Sequence, residues 1–312
     1  VIEIHAGSGA DVWNADWNIE GMDEFGMALF TLEYMEMFGM ADGRNFPYDD
    51  VFNTDNPDNV DIFVGRDPRL YETMVVNRNN LIEQYGGLSS TELWQGGNVD
   101  QNFNPQVTDN PWSTRLKMFK YLRDNGYAAY YPTNYAYLRM ADIHLCYAEA
   151  LAQTGNLQKA CDEMNKVRAR VGLGKVEVMN PELNLTSNKD NFIEQLFKER
   201  ACEFGYEDQR WYDLVRYKRS DIFKKQVHQL RMWRKDASGN KMDPADYNGD
   251  TSLQPGEPWP SCIYEKIPCT NNIRVWWDTA DQASKWTDKW YLSPISRDEI
   301  NKGYGLNQNP GW

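Results

Sequence analysis

The chain has 312 residues, enough for one large domain or two ordinary ones around a buried core. Its net charge is −13 with a pI near 4.8, and its Lys/Arg clusters are no longer than pairs such as Lys218-Arg219 and Lys224-Lys225. That argues against nucleic acid and anionic membrane surfaces as partners, because both need clustered cations. No apolar run is long enough for a transmembrane helix. Twelve Trp and 18 Tyr against few aliphatics suit an extracellular binding protein better than a cytosolic nucleotide enzyme.

Val1-Ile2-Glu3-Ile4 reads as a strand that begins in mid-fold, with neither a signal peptide nor a lipid-accepting Cys near Val1. Met22 to Phe38 reads as partly helical, and Asp42-Gly43 as a turn. Residues 43–62 carry Asn, Asp and Pro and read as irregular surface. Asp67-Pro68-Arg69 then leads into an expected strand, Leu70 to Val76. Asn79 to Asn110 is polar, with hairpin candidates at Gly86-Gly87 and Gly96-Gly97, and Leu116 to Leu122 is a short apolar element.

The strongest helical signal runs from about Tyr135 to Arg170, with a stop at Thr154-Gly155-Asn156. Ala148, Leu151, Ala160 and Met164 have the small/large spacing of a tetratricopeptide-type hairpin. One such hairpin cannot bury its face alone, so a helix over 190–217, opened by a Ser187-x-x-Asp190 capping box, is expected beside it. That helix carries an ionic ladder of Glu199, Arg200, Glu203, Glu207, Arg210, Asp213 and Arg216 over apolar Ile193, Phe197, Ala201, Phe204, Trp211 and Leu214. Paired carboxylates hydrolyse glycosides, but arginines at helical spacing neutralise these acids and hold them ionised. The ladder therefore reads as a structural ion network, and Trp211 as core. Beyond Ser220 the chain reads as irregular.

Trp13 and Trp17 lie four apart among Asn14, Asp16 and Asn18. Aromatic faces stack on the C–H faces of sugars while Asn and Asp take hydroxyls, so this segment is a candidate ligand platform. A tryptophan plugging a loop is the alternative. Trp94 with Asn98, and Trp112, are further candidates of the same kind. Trp276, Trp277, Trp286 and Trp290 read as packing. Asp246, Asn248 and Asp250 look like part of a calcium loop, with Glu257 at the twelfth position, but a plain turn reads better and no metal is assigned. Cys146, Cys161 and Cys202 read as buried thiols on helices. Cys262 and Cys269 read either as buried thiols or as a pair in an oxidising compartment. No nucleotide loop, nucleophile elbow or zinc helix motif is present, and no cofactor is implied.

Four blocks in order resemble the SusD/RagB family of nutrient-binding lipoproteins. They are Met35 to Gly43, Asp67-Pro68-Arg69, Arg139 to Ala150 followed by Ala160, Asn165 and Arg168, and Glu199 to Arg216 with the Gln308-Asn309-Pro310-Gly311-Trp312 ending. Asp208 replaces a usual Gly before Arg210-Trp211, Ser296 a frequent Pro and Trp312 a frequent Tyr. The resemblance implies a mainly α fold, with tetratricopeptide-like helical hairpins packed against a loop-rich half with short β-hairpins. The expected division is a ligand-binding portion 1–118, a helical scaffold 119–217 and a C-terminal wrap 218–312. The implied function is non-catalytic capture of oligosaccharide at the outer face of the outer membrane, delivered to a TonB-dependent, SusC-like transporter. A peptide-binding member and a helical-repeat protein-interaction module are the alternatives. The resemblance also implies that this chain is the C-terminal portion of such a protein, anchored through an N-terminal lipid outside it.

Overall fold

The computed structural model describes residues 2–5, 30–48, 52, 61–74, 76–77, 92–96, 134–207, 209–243, 261–268, 277–278 and 283–312. Strand β1 (Ile2–His5) pairs antiparallel with β2 (Asn134–Leu138), across a register irregularity between Ile2 and Glu3. Helix α1 is Leu32–Met37, opened by Thr31, whose hydroxyl accepts the Tyr34 N–H. The expected strand after Asp67-Pro68-Arg69 is instead a helix, α2 (Pro68–Thr73). The Asp67 carboxylate accepts the Arg69 N–H at 2.9 Å, and Pro68 takes the first helical position, where its missing donor costs nothing.

Helices α3 (Met140–Gln153) and α4 (Leu157–Arg170) form an antiparallel hairpin. Both end the same way. Gly155 and Gly172 turn left-handed, and the next residue's N–H reaches back to Leu151 O and Arg168 O respectively. Short helix α5 (Val176–Met179) follows, and α6 (Lys189–Glu203) packs across the hairpin. Its cap is Asn188, whose side chain accepts the Asn191 N–H at 3.1 Å, rather than the Ser187 box. The expected 190–217 helix is broken. Phe204 closes α6, Tyr206 stands at φ 59°, and α7 (Arg210–Arg216) starts afresh. Helix α8 (Ser220–Phe223) precedes a strand pair, β3 (His228–Arg234) with β4 (Cys262–Pro268), where irregular chain was expected at β3. A two-residue ladder, β5 (Trp277–Asp278) with β6 (Ala283–Ser284), and α9 (Arg297–Asn301) complete the order. The fold is thus helix-rich, with two-stranded sheets only among the described residues.

Among the described residues, three apolar clusters lie beneath these elements. α1, α2, residues 92–96 and the β3–β4 pair enclose Leu32, Met35, Phe38, Leu70, Trp94 and Met232. α3, α4 and α6 enclose Leu145, Ala148, Ala160, Met164, Phe192 and Leu196. Leu214, Phe223 and Trp286 form the third, with the rings of Phe223 and Trp286 stacked at 4.1 Å. Trp211 stands at the rim of that third cluster, 37% exposed, rather than in a core. Cys161 and Cys202 are buried, whereas Cys146 is exposed on α3.

Candidate functional site

The charged residues of α6 gather partners from four other parts of the chain. Glu199, which is 2% exposed, accepts from Arg69 Nη1 at 2.6 Å and from Arg168 Nη1 at 2.9 Å. Arg69 also forks onto Asp67 and reaches Glu203 at 3.1 Å. Glu203 takes Arg139 and Arg170 as well, each at 2.8 Å, and Arg139 continues to Glu207. Four carboxylates, Asp67, Glu199, Glu203 and Glu207, therefore face four guanidiniums, Arg69, Arg139, Arg168 and Arg170. A second chain runs Asp142–Arg200–Asp213–Arg216–Glu149 and joins α3, α6 and α7.

Backbone supply explains why these side chains meet. α2 begins at the Asp-Pro turn and aims Arg69 at α6, whose Glu199 and Glu203 lie one turn apart. The loop after α1 folds so that Gly43 O accepts Arg168 Nη2 at 2.8 Å. Burial alone would raise the Glu199 carboxyl, but the adjacent Arg69 and Arg168 outweigh it and hold the group below its ordinary range. Burial likewise disfavours the Arg69 cation, yet Glu199 and Asp67 leave it more basic than usual. At Glu149, burial is again outweighed, here by hydrogen bonds from Arg216 and Tyr217. Glu199 and Glu149 are thus held toward the ionised form, the opposite of what a general acid needs.

Arg210 departs from the expected ladder. Among the described residues it forms no ion pair; its Nη1 donates to Phe197 O at 3.2 Å, because the break before α7 turns it toward the α6 backbone. The ladder reading missed Asp67, Arg69, Arg139, Asp142, Glu149, Arg168 and Arg170. The signal was present in the Asp-Pro-Arg block and in the Arg139–Ala150 block, but nothing local tied either block to α6.

Above the network lies a polar cleft lined by Arg44, Asn45, Gln195 and Lys198, with room for about one water. Lys198 donates to Asn45 Oδ1 at 3.0 Å there. Among the described residues no group of His, Cys, Asp or Glu is arranged to hold a metal ion.

Of the sequence-predicted ligand residues, Trp94 alone is described, and its position is a correction. It is fully buried, sits with Leu230 and Met232, and its neighbour Gln95 donates its N–H to Met232 O at 2.8 Å. A side chain held there is core and presents no face to a sugar. Trp13, Asn14, Asp16, Trp17, Asn18, Asn98 and Trp112 lie outside the described residues, as do Asp246, Asn248, Asp250 and Cys269.

In this helix-rich scaffold the four carboxylates gathered at α6 are thus faced by four arginines drawn from separate elements. The chain belongs to the SusD family, whose model matches residues 9–312. It is 33% identical over 102 residues to "SusD-like protein P38" and 34% identical over 89 residues to "SusD-like protein P2", both of Formosa agariphila. Those stretches cover 32% and 28% of this chain, and 20% and 17% of the relatives. A crystal structure of a SusD-like protein from Bacteroides fragilis aligns over 91% of this chain with a TM-score of 0.62 at 23% identity. The chain spans 47% of that protein.

Proposed function

We propose that this protein is a non-catalytic receptor of the cell surface that captures oligosaccharide and passes it to a TonB-dependent, SusC-like outer-membrane transporter. The observation that carries the reading is family membership across 9–312, joined to an acid cluster that is closed by arginines. In this reading Trp13, Trp17 and Trp112 offer stacking faces, and Asn14, Asp16, Asn18 and Asn98 offer hydroxyl partners. The helical hairpin α3–α4 with α6 is a tetratricopeptide-like scaffold within 119–217. Residues 1–118 carry the ligand and 218–312 wrap both. In this reading the protein sits on the outer face of the outer membrane, held by a lipid anchor. Among the described residues no helix is long and apolar enough to cross a membrane.

The test is titration of the purified protein with a panel of oligosaccharides, followed by heat and tryptophan fluorescence. Saturable binding to one glycan class, lost in Trp13→Ala or Trp17→Ala, is the expected result. Heat from a peptide digest with silence from every glycan would select the peptide-binding branch of the family. Release of reducing ends would overturn the non-catalytic reading.

A further inference from the structure

Helix α6 sets Gln195, Lys198 and Glu199 at i, i+3 and i+4, so the three share one face. That face meets the loop after α1 at Arg44 and Asn45, and together they line the polar cleft. Donors there outnumber acceptors. Lys198 Nζ donates to Asn45 Oδ1 at 3.0 Å, and Asn45 Nδ2 donates to Gln195 Oε1 at 3.4 Å. Gln195 is 6% exposed, and among the described residues its own amide N–H groups reach no acceptor. An ammonium carries three N–H donors, so Lys198 keeps two beyond the one given to Asn45. The carboxylates of the cleft are already engaged. Asp67 accepts from Arg69 through both oxygens, and Glu199 accepts from Arg69 through one and from Arg168 through the other.

Charge is as one-sided as the donors. The acids of the network face guanidiniums, and exposed Arg44 at the mouth pairs with Asp42 at 2.7 Å. Lys198 stands outside this matching, since among the described residues it makes no ion pair. Burial, with Arg66 and Arg168, pulls its ammonium below the ordinary range, although Glu36 opposes them from beyond ion-pair reach. The neighbouring Cys202 thiol brings no compensating charge, because burial keeps it protonated. A half-buried cation of this kind is stabilised by an opposite charge. Water supplies an oxygen without charge, whereas an anion supplies both. Room for about one water excludes phosphate, sulfate and carboxylates.

We propose that this cleft binds one small monovalent anion, chloride in a saline medium, held by the Lys198 ammonium and the Gln195 amide beside Arg44. The anion accepts the donors that Asn45 leaves over and neutralises Lys198. It thereby ties the loop at 44–45 to α6 and makes the stability of that junction depend on halide. The inference is independent of which ligand the protein captures.

Urea denaturation of the purified protein tests it, at a constant ionic strength of about 0.15 M while chloride replaces methanesulfonate, an anion too large for the cleft. The unfolding constant of the wild type should fall at least about twofold, the effect of a site half filled or better. In Lys198→Met, which keeps the stem and removes the charge, the same exchange should change nothing. Bromide-soaked crystals of the wild type give a second readout that needs no variant, since the anomalous peak should lie beside Lys198 Nζ. An equal chloride response in both proteins would overturn the proposal by placing the ion elsewhere. A wild type indifferent to chloride, or a bromide map without a peak in the cleft, would overturn it too, because the space then holds water alone.

Discussion

Arg66 and Arg69 stand three residues apart, both buried, and are solvated in opposite ways. Among the described residues, Arg66 hydrogen-bonds to carbonyl oxygens and to no carboxylate. It donates to Gly39 O, Ile62 O, Met35 O and Phe38 O, and its guanidinium lies 3.7 Å above the Phe46 ring. Two of those carbonyls belong to the end of α1, where a helix has acceptors to spare and a partial negative charge. Arg69 faces three carboxylates, Asp67, Glu199 and Glu203. Burial pulls the Arg66 cation down to about 10, whereas at Arg69 the same burial is overridden by Glu199 and Asp67. Carbonyl dipoles thus tolerate a buried charge, while carboxylates hold it. The first arrangement closes a helix end; the second ties α2 to α6.

Removing each arginine separates the two modes. Arg69→Met should be the costlier change, by about 3–5 kcal/mol, because it leaves buried carboxylates short of a partner. Arg66→Met keeps most of the volume and leaves only carbonyls unpaired, so about 2–3 kcal/mol is expected. Urea denaturation of the two variants checks both figures. A larger loss in Arg66→Met would reverse the ranking of dipoles and charges drawn above.

Acid sharpens the contrast. The Glu199 carboxyl is held below its ordinary value of 4.5 in the fold. A depressed acid adds stability that is fully present above the unfolded value and is lost as pH falls through the folded one. The wild-type advantage over Arg69→Met should therefore shrink as pH drops below about 4.5, since protonation of the acids removes what Arg69 was neutralising. The gap to Arg66→Met should stay level over the same range, because carbonyls do not titrate. Denaturation midpoints of the three proteins from pH 7 to pH 3 give the answer. Parallel lines for both variants would show that Arg69 acts by packing alone.

Much of this frame could be read from the residues, and the failures have physical causes. The helical hairpin and its stop at Gly155 were legible because small/large periodicity and a left-handed glycine are local signals. The Glu/Arg ladder was legible as helical spacing, but its partners were not. Arg69 and Arg139 lie 130 and 64 residues from Glu199 and Glu203, respectively, and sequence spacing carries no such pairing. α2 was misread as a strand because Tyr71, Thr73 and Val76 have strand preference, whereas an Asp cap followed by Pro decided the matter. Trp94 was misread because polar neighbours suggested a loop surface, yet Leu93 and Met232 draw it inward. The candidate platform around Trp13 and Trp17 rests on residue chemistry alone.

The smallest expected effect is the most direct check that the network is closed. Arg170 donates to both oxygens of Glu203 at 2.8 Å, but its own side chain is 57% exposed. Water screens that end of the pair, and Glu203 keeps Arg69 and Arg139 when Arg170 is gone. Arg170→Ala should then cost less than about 1 kcal/mol, with no change in acid sensitivity. A loss of several kcal/mol would mean that Glu203 depends on its outermost arginine and is short of positive charge within the core. An acid in that condition gains affinity for protons, which is the property a catalytic carboxyl requires. A small loss therefore does more than rank one surface arginine. It keeps the buried acids in the role of fasteners between helices.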